Sequence, residues 1–369
     1  MKAIISGGGT GGHIFPAIAI ANALKKRMPE CDILFVGAEG RMEMEKVPAA
    51  GYTIKALPIV GLQRKLTLKN ICANMVLPFK LLKSQRMVKS ILRQFSPDIV
   101  VGVGGYASAP TLKMAARMGF PTLLQEQNSY PGLTNKILAK TARTICVAYD
   151  GMDRFFPKEK IVITGNPVRA DIEELRVSRD EGLREFHLDG SRQTVLSVGG
   201  SLGARSINLM IIDHLDFFKE KNIQIIWQTG KWMYEEAVRQ VKAHEAEEWV
   251  HVHQFISRID LAYAAADVVI SRAGAIAISE LCATGKPVIL IPSPNVAEDH
   301  QTKNAMALVK QDAAEMVADI ECHDQGLQRL EALLDDSQRR ERMSENIRRM
   351  SHQHAADHIV DEIMKICNG

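Results

Sequence analysis

Two glycine-rich segments of the chain have the composition and spacing of phosphate-binding loops. Residues 7–13 read GGGTGGH and residues 199–205 read GGSLGAR, and each follows a short apolar run and precedes a helical stretch. Glycines allow the backbone to turn sharply and to approach a ligand closely. The unpaired N–H groups and the positive dipole end of the following helix attract an anion. Each segment therefore predicts a site for a phosphate group.

The first segment also fits a dinucleotide-binding fingerprint. Gly7, Gly9 and Gly12 satisfy the pattern G-x-G-x-x-G, which is a weak signal when taken alone. A nicotinamide site further requires an acidic residue at the end of the second strand to hold the ribose. That strand is predicted to end at residues 35–38 (FVGA), and Glu39 lies beyond it. Because one dinucleotide would also leave the second loop unexplained, this is the weaker interpretation.

The segments around these loops alternate between short apolar strands and stretches with helical spacing. Strands are predicted in the first half at residues 2–6, 33–36, 99–103, 122–124, 144–147 and 161–164, and in the second half at residues 194–198, 223–228, 250–253, 268–271 and 288–291. Such alternation predicts a parallel sheet covered by helices on both faces. The chain is therefore expected to be an α/β protein with two Rossmann-like domains.

The boundary between the domains is expected near residues 165–168 (GNPV). A glycine and an X-Pro pair interrupt the periodicity there, directly after a strand. We predict a first domain over residues 1–165 and a second over residues 166–345. Residues 346–369 are predicted to end in a helix that packs back on the first domain, since Ile359, Val360, Ile363 and Met364 form one apolar stripe.

Length and composition exclude several classes of protein. With 369 residues, of which 46% are hydrophobic and 24% charged, the chain is typical of a two-domain globular protein. Its six cysteines form no C-x-x-C pair, so neither a disulfide framework nor a zinc cluster is predicted and a reducing cytoplasm is indicated. The apolar run at residues 3–24 contains five glycines and Pro16. We therefore expect neither a secretion signal nor a spanning helix.

Charge is distributed unevenly along the chain. The net charge is +3, but residues 1–165 contain 23 Lys and Arg against 10 Asp and Glu. The remaining residues carry the compensating acidic excess. A basic first domain predicts an anionic partner, which is a nucleic acid, an anionic bilayer surface or a phosphorylated substrate.

Five segments spread over nearly the whole chain carry a recognisable set of motifs. They read GGGTGGHIFPAIAIA at 7–21, QEQN at 125–128, GNPVR at 165–169, GGSLGAR at 199–205 and SRAGAIAISE at 271–280. In this order they resemble the MurG family, the peptidoglycan N-acetylglucosaminyltransferases that convert lipid I to lipid II. The resemblance implies the GT-B fold, in which two Rossmann-like domains face each other across a cleft. It places the UDP-N-acetylglucosamine donor in the C-terminal domain and the undecaprenyl-diphosphate acceptor in the N-terminal domain, with no cofactor.

The resemblance also implies a set of substrate-binding residues. In the second domain these are Arg169, Ser201, Ile256 beside the uracil, Ala275, Ile276, Ala277, Ile278, Ser279, Glu280 and Gln301, and in the first domain they are Thr10, Gly11, Gly12 and Asn128. His300, beside Gln301, departs from some relatives and is expected among the acceptor or sugar contacts. Glu280 is a carboxylate that can accept hydrogen bonds from both ribose hydroxyls. Arg169 can pair with the diphosphate through its planar, charged fork. The alternatives are a solvated helical carboxylate for Glu280 and a surface linker residue for Arg169.

The implied chemistry is an inverting displacement in which the acceptor 4-hydroxyl attacks the anomeric carbon as UDP leaves. It requires a general base and fixed positive potential at the diphosphate. His13 is the preferred base because imidazole titrates near neutral pH, although it can instead bind substrate or cap a helix; Glu126 is the competing base. Gln125 stands where the family usually has histidine, and glutamine cannot take a proton.

Since the chain has no D-x-D pair, the helix start after Gly203 is predicted to replace a metal, with help from Arg169.

No acidic residue occurs between Glu45 and Asp98, and this stretch is both basic and apolar. Its basic residues are Lys46, Lys55, Arg64, Lys65, Lys69, Lys80, Lys83, Arg86, Lys89 and Arg93, and its candidate lipid-contacting residues are Leu62, Leu66, Leu68, Ile71, Met75, Val76, Leu77, Phe79, Leu81 and Leu82. Met87, Val88, Ile91, Leu92 and Phe95 are predicted to form the inward stripe of a helix. The pattern predicts peripheral binding to the anionic cytoplasmic face of the cell membrane. A solvated basic face is the alternative, and nucleic acid is disfavoured because Phe79 is the single aromatic residue between Tyr52 and Phe95.

The loop at residues 102–106 (GVGGY) follows a predicted strand. Gly104, Gly105 and Tyr106, together with Gly9, are expected at the acceptor diphosphate; a tight structural turn is the alternative. Two other functions are alternatives, namely a lipid-independent UDP-sugar enzyme such as another glycosyltransferase or a sugar-nucleotide epimerase, and a membrane-associated scaffold without catalysis. The basic apolar stretch argues against the first and the retained His13, Glu126 and Glu280 against the second. The cell-wall synthesis machinery is a further expected partner.

Overall fold

The chain divides into two α/β units. The computed structural model describes residues 1–59, 68–200 and 202–368. The first unit comprises Met1–Val168 and His354–Gly369, and the second comprises Arg169–Gln353. The chain thus passes to the second unit immediately after the GNPV segment.

The first unit is built on a seven-stranded parallel sheet. Its strands are β1 (Lys2–Ser6), β2 (Asp32–Ala38), β3 (Thr53–Leu57), β4 (Ile99–Gly102), β5 (Thr122–Glu126), β6 (Thr144–Val147) and β7 (Ile161–Ile163), and its helices include α1 (Gly11–Arg27), α2 (Glu43–Ala49), α3 (Leu68–Phe95), α4 (Ser108–Arg117) and α5 (Leu133–Leu138). The strand order is β3-β2-β1-β4-β5-β6-β7, with parallel pairing throughout.

The central strands of this sheet are apolar on both faces because helices cover both. Ile4 of β1 belongs to one apolar cluster with Val88 and Leu92 of α3. Its neighbours Ala3 and Ile5 belong to the opposite cluster, which contains the inner face of α1. All five side chains are at most 1% exposed, as expected for parallel strands between two helical layers. The buried Val88 and Leu92 also confirm the predicted inward stripe of α3.

The second unit repeats this architecture with six strands. Its strands are β8 (Thr194–Val198), β9 (Gln224–Gln228), β10 (Val250–His253), β11 (Val268–Ser271), β12 (Val288–Leu290) and β13 (Glu315–Met316), and its helices are α6 (Ala170–Glu173), α7 (Arg179–Glu185), α8 (Arg205–Ile212), α9 (Leu215–Glu220), α10 (Tyr234–Ala243), α11 (Ile259–Ala265), α12 (Ala275–Thr284), α13 (His300–Val309), α14 (Cys322–Asp335) and α15 (Ser337–Arg349). The strand order is β10-β9-β8-β11-β12-β13. Two parallel sheets of Rossmann type confirm the predicted fold class.

The last helix, α16 (Ala355–Asn368), belongs to the first unit. Ile359, Val360 and Ile363 are completely buried in the cluster that contains the inner face of α1. Residues 346–353, expected to accompany this tail, belong to the second unit instead. The reason is that α15 continues to Arg349 and buries Ile347 in the second unit's core.

Two strands were not predicted from the sequence. In β3 the exposed Thr53 and Lys55 interrupt the apolar run, and β13 is only two residues long. Both lie at an edge of their sheet, where the strand has a neighbouring strand on one side only. Within the described helices, none combines the length and apolar character needed to cross a bilayer.

Candidate active site

Each sheet reverses its strand order at one point, and a glycine loop lies at each reversal. In the first sheet the order turns between β1 and β4, and in the second between β8 and β11. Open α/β sheets bind ligands outside the carboxyl ends of the strands at such a switch point. The loops that follow β1, β4, β8 and β11 are therefore the positions at which substrate contacts are expected.

At the first switch point the loops after β1 and β4 are in close contact. A Cβ atom on Gly105 would lie 2.3 Å from the backbone oxygen of Gly8, and one on Gly7 would lie 2.1 Å from a methyl carbon of Val103. Gly104 and Gly105 also have positive φ angles of 96° and 87°, which favour glycine. The absence of side chains at these positions allows the two loops to pack directly on each other.

His13 lies in the first turn of α1 and faces this contact. Its Nδ1 is 3.3 Å from the hydroxyl oxygen of Thr10, the residue that precedes α1. A Cβ atom on Gly104 would lie 2.8 Å from both Cδ2 and Nε2 of the imidazole, so the ring packs against the Gly104 backbone. The structure thus brings together Thr10, His13 and the 104–106 loop, with Gly12 and Tyr106 exposed beside them.

Glu43, which was not predicted as a site residue, lies beneath the first glycine loop. Its Oε2 accepts a hydrogen bond of 2.9 Å from the N–H of Gly9, and its Oε1 accepts one of 3.0 Å from the N–H of Ala38. The residue is 1% exposed. The N–H of Gly9, a residue expected at the acceptor diphosphate, is thus engaged by a carboxylate in this structure.

Glu126, the competing base, is surrounded by hydrogen-bond donors. It is 2% exposed and accepts hydrogen bonds from the backbone N–H groups of Asn128 and Gly132 and from the side-chain amides of Asn128 and Asn135. Burial raises the pKa of its carboxyl, and these hydrogen bonds oppose that rise. Both oxygens thus hold the 128–135 segment in place.

Gln125 also points into the protein interior. It is completely buried, and its side-chain amide donates a hydrogen bond of 2.9 Å to Asn166 Oδ1. Asn166 in turn donates to the backbone oxygen of Gln127. These amides connect the end of β5 to the segment just before the second unit, so position 125 has a structural role in this chain.

At the second switch point the loop after β8 packs on the loop after β9. A Cβ atom on Gly203 would lie 1.9 Å from the backbone oxygen of Thr229. Gln228 donates a hydrogen bond of 3.1 Å to the backbone oxygen of Gly200 and accepts one of 2.8 Å from the N–H of Ile256. Ile256, expected beside the uracil, is thereby tied to the glycine loop. Ser201 lies outside the residues that the structure describes.

The helix α12 begins at the same edge, directly after β11. Gly274 precedes it in an extended conformation, and a Cβ atom on Gly274 would have no atom within 4 Å. Ala275 and Ile278 are buried, whereas Ile276, Ala277, Ser279 and Glu280 are partly exposed. The hydroxyl of Ser279 donates to the backbone oxygen of Ala275. Of the side chains of these helix residues, the partly exposed group is the one that a ligand can contact.

Glu280 forms the charged centre of this region. Its side chain is 15% exposed, and its Oε1 lies 3.6 Å from Nε of Arg169. The hydroxyl of Tyr263 donates to Oε2 at 3.4 Å. Burial raises the pKa of Glu280 to about 7, although the Arg169 guanidinium and the Tyr263 hydroxyl both lower it. Arg169 also lies 3.9 Å from Asp171, so its charge is balanced by carboxylates in this conformation.

Gln301 and His300 begin α13 after a strained turn. Glu298 and Asp299 have positive φ angles of 58° and 51°, a conformation that costs energy in residues other than glycine. The side-chain oxygen of Gln301 accepts a hydrogen bond of 2.8 Å from the N–H of Ser293, which follows β12. Gln301 is therefore fixed at the carboxyl edge of the second sheet.

Arg272 is a second residue that was not predicted. It donates hydrogen bonds of 3.0 Å to the backbone oxygen of Ile291 and to the hydroxyl of Ser206, and it pairs with Asp319. Its side chain is 15% exposed. Because Ser206 lies in the first turn of α8, Arg272 links the end of β11 to the helix that follows the second glycine loop.

Comparison with known proteins identifies homologues over the whole chain. Residues 3–147 match the N-terminal domain model of glycosyltransferase family 28, and residues 194–359 match the C-terminal domain model of that family. A UDP-N-acetylglucosamine–N-acetylmuramyl-(pentapeptide) pyrophosphoryl-undecaprenol N-acetylglucosamine transferase from Parabacteroides distasonis is 56% identical, over 99% of this chain and 98% of the relative.

Solved structures give the same result for the fold. The crystal structure of Acinetobacter baumannii MurG superimposes with a TM-score of 0.80 at 29% identity and covers 99% of both chains. A UDP-GlcNAc 2-epimerase from Neisseria meningitidis superimposes with a TM-score of 0.68 at 15% identity, over 99% of this chain and 100% of the epimerase. At so low an identity the epimerase shares the fold alone.

Proposed function

The chain belongs to glycosyltransferase family 28, and we infer that it transfers N-acetylglucosamine from UDP-N-acetylglucosamine to undecaprenyl-diphosphate-linked N-acetylmuramyl pentapeptide. This hexosyl transfer converts lipid I to lipid II in peptidoglycan synthesis. The observation that carries the inference is 56% identity over 99% of the chain to a transferase of that name. The resemblance to the MurG family and the GT-B fold are thereby confirmed.

We propose that the donor binds at the switch point of the second unit. Glu280 is partly exposed, and its carboxylate can accept hydrogen bonds from the ribose hydroxyls once they replace Tyr263 and Arg169 as partners. The start of α12 has an open approach at Gly274, so the diphosphate can lie near its N–H groups. Arg169 can then pair with the diphosphate. Gln301, held by Ser293, is the proposed sugar contact.

We propose that the acceptor binds in the first unit, with its 4-hydroxyl close to His13. The imidazole packs against Gly104, and its Nδ1 lies 3.3 Å from the hydroxyl oxygen of Thr10, so both contacts orient the ring. In the inverting reaction the hydroxyl oxygen forms the new bond to the anomeric carbon, UDP leaves with the bonding electrons, and His13 takes the hydroxyl proton. His13 is preferred over Glu126 because the carboxylate of Glu126 is occupied by four donors.

We further propose that the first unit binds the cytoplasmic face of the membrane through α3. Phe79, Leu81 and Leu82 are 74%, 37% and 49% exposed, and Lys83 and Arg86 are exposed beside them. An apolar surface rimmed by cations fits an anionic leaflet, where each nearby cation contributes about 1 kcal/mol. Leu62, Arg64, Lys65 and Leu66 lie outside the described residues, as do the side chains of Leu68, Lys69, Ile71, Met75 and Val76.

The transfer reaction is tested with labelled UDP-N-acetylglucosamine and a lipid I analogue, followed by determination of the product linkage. We expect a β1,4-linked disaccharide on the lipid diphosphate, because an inverting displacement reverses the anomeric configuration of the donor. Formation of a labelled epimer of the donor without transfer would instead favour the epimerase alternative. Binding of UDP without either product would favour the scaffold.

The membrane proposal has a separate test by liposome flotation. We expect the protein to float with vesicles that contain anionic lipid and to be released by salt, because surface electrostatics are screened. Phe79→Ser together with Leu82→Ser should weaken flotation without affecting UDP binding. Failure of the unmodified protein to float at any salt concentration would refute membrane binding and leave the transferase activity unaffected.

A further inference from the structure

We propose that Glu43 is a positioning residue for the transfer reaction, which holds the first glycine loop in the conformation that supports His13. This inference rests on the proposed function, since it assigns Glu43 to the acceptor side of the same reaction. Glu43 is not expected to touch either substrate, because it is 1% exposed. Its effect would be transmitted through the backbone of the loops after β1 and β4.

The contacts of Glu43 are those of a bridge between two backbone segments. One carboxylate oxygen accepts from the N–H of Gly9 and the other from the N–H of Ala38, at 2.9 and 3.0 Å. Ala38 ends β2, which is the direct neighbour of β1 in the sheet. The carboxylate therefore fixes the first glycine loop to the adjacent strand, and Glu43 itself lies 34 residues from Gly9 in sequence.

The slot that holds this side chain is lined by glycines. A Cβ atom on Gly8 would lie 2.2 Å from Oε1 of Glu43, and one on Gly37 would lie 2.6 Å from its Cγ. Any larger residue at either position would displace the carboxylate. A buried carboxylate is costly unless it is well hydrogen-bonded, so a role in core packing alone would be served better by an apolar residue. The slot is shaped for a side chain that accepts two hydrogen bonds.

A continuous chain of contacts leads from Glu43 to His13. Gly8, which covers the carboxylate, packs against Gly105, and the neighbouring Gly104 packs against the imidazole. The hydroxyl of Ser108 closes the same unit, since it donates to the backbone oxygens of Ser6 and Gly104 at 2.7 and 2.8 Å. A shift of the Gly8–Gly9 backbone would therefore remove the support on which the His13 ring rests.

The test replaces Glu43 by glutamine, which keeps the size of the side chain. The amide has only one acceptor atom, so one of the two backbone N–H groups loses its partner. We expect Glu43→Gln to lower kcat for transfer to a lipid I analogue by about 10- to 100-fold, the effect of a misplaced catalytic group. The dissociation constant for UDP, measured by calorimetry, should stay within about twofold, since the proposed donor site lies in the other unit. Hydrogen exchange of residues 7–14 should become faster.

The matched control is Glu45→Gln. Glu45 is in the same short helix, but its side chain is 78% exposed and it has no proposed role. This variant should keep wild-type kcat, UDP affinity and hydrogen exchange. Glu43→Asp keeps the charge but is one methylene shorter, so it can reach only one of the two N–H groups and should give an intermediate kcat.

Four outcomes would overturn the proposal. The first is a wild-type kcat in Glu43→Gln. The second is a fall in kcat that is accompanied by losses of UDP affinity and of thermal stability, because this combination would indicate general damage to the fold. If Glu43→Gln does not fold, the aspartate variant decides, and wild-type kcat there would be the third. If the unmodified protein transfers no sugar, the proposed function fails, while unchanged hydrogen exchange at residues 7–14 in Glu43→Gln would separately refute the loop-holding role.

Discussion

The carboxylate of Glu280 lies 3.6 Å from the guanidinium of Arg169, and a third side chain, Tyr263, donates its hydroxyl to the same carboxylate. Burial nevertheless raises the pKa of Glu280 to about 7. A residue proposed to bind ribose thus titrates near neutral pH. Its two protonation states differ in the hydrogen bonds that they can form with a nucleotide, because the protonated carboxyl has lost one acceptor and gained a donor.

UDP affinity is therefore predicted to depend on pH through Glu280. Because the raised pKa leaves Glu280 largely protonated below about pH 7, binding should weaken on acidification from pH 8 to pH 6 and recover on return. The measurement is calorimetric titration with UDP at both values. Glu280→Gln is the control for titration of UDP itself, and it should bind weakly with a smaller pH dependence. An identical pH dependence in the two proteins would contradict the assignment of Glu280 to the ribose.

His13→Ala is predicted to separate catalysis from donor binding. Loss of a general base typically lowers the rate by about 10²- to 10⁴-fold, whereas the proposed UDP site lies in the second unit and should be unaffected. Turnover with a lipid I analogue and calorimetry with UDP provide the two readouts. His352→Ala, at an exposed position without a proposed role, is the matched control. Unchanged turnover in His13→Ala would remove this residue from the mechanism.

The glycine loops and the two parallel sheets could be predicted from the sequence because their signals are local. Residues 7–13 and 199–205 follow apolar strands directly, and apolar runs at regular spacing are enough to indicate strands covered on both faces. These features depend on residues that are close together in the chain.

The partners of individual side chains could not be predicted in the same way. Glu43 is bound to Gly9 from 34 residues away, and Arg272 reaches Ser206 from 66 residues away. Glu126 resembled a candidate base in the sequence, but its role depends on four donors that only the folded 128–135 segment supplies. Burial and backbone partners decide these roles, and neither is encoded in a short motif.

Lys286 is predicted to make stability increase at alkaline pH. Its ammonium group donates to the backbone oxygens of Ala264 and Ala266, and burial lowers its pKa to about 8 from 10.5. The unfolded chain then binds more protons than the folded chain between these values, so the free energy of unfolding should rise from pH 8 towards pH 10.5. The rise is at most about 3 kcal/mol for such a shift.

The measurement for Lys286 is urea unfolding at pH 7.5 and pH 9.5 in the wild-type protein and in Lys286→Met. Other groups titrate in this range, so the relevant quantity is the difference between the two proteins. The stability of wild type relative to the variant should increase with pH. A relative stability that stays constant or decreases would show that Lys286 is not held with a lowered pKa.

Gly104→Ala is predicted to impair catalysis by displacing His13. The new Cβ would lie 2.8 Å from Cδ2 and Nε2 of the imidazole, closer than two carbon atoms can approach, so the ring must move. The φ angle of Gly104 is 96°, and this backbone conformation alone costs an L-residue about 1–2 kcal/mol. The prediction therefore requires a control that shares the backbone cost without the contact.

Gly119→Ala provides this control. Its φ angle is 84°, and a Cβ atom there would have no atom within 4 Å. Both variants should lose similar thermal stability from the backbone conformation, but only Gly104→Ala should show a kcat reduced by about tenfold or more with unchanged UDP affinity. Equal kcat values in the two variants would mean that the imidazole can move away from Gly104 without loss of activity. Such a result would contradict the proposal that His13 acts as a base in a fixed orientation.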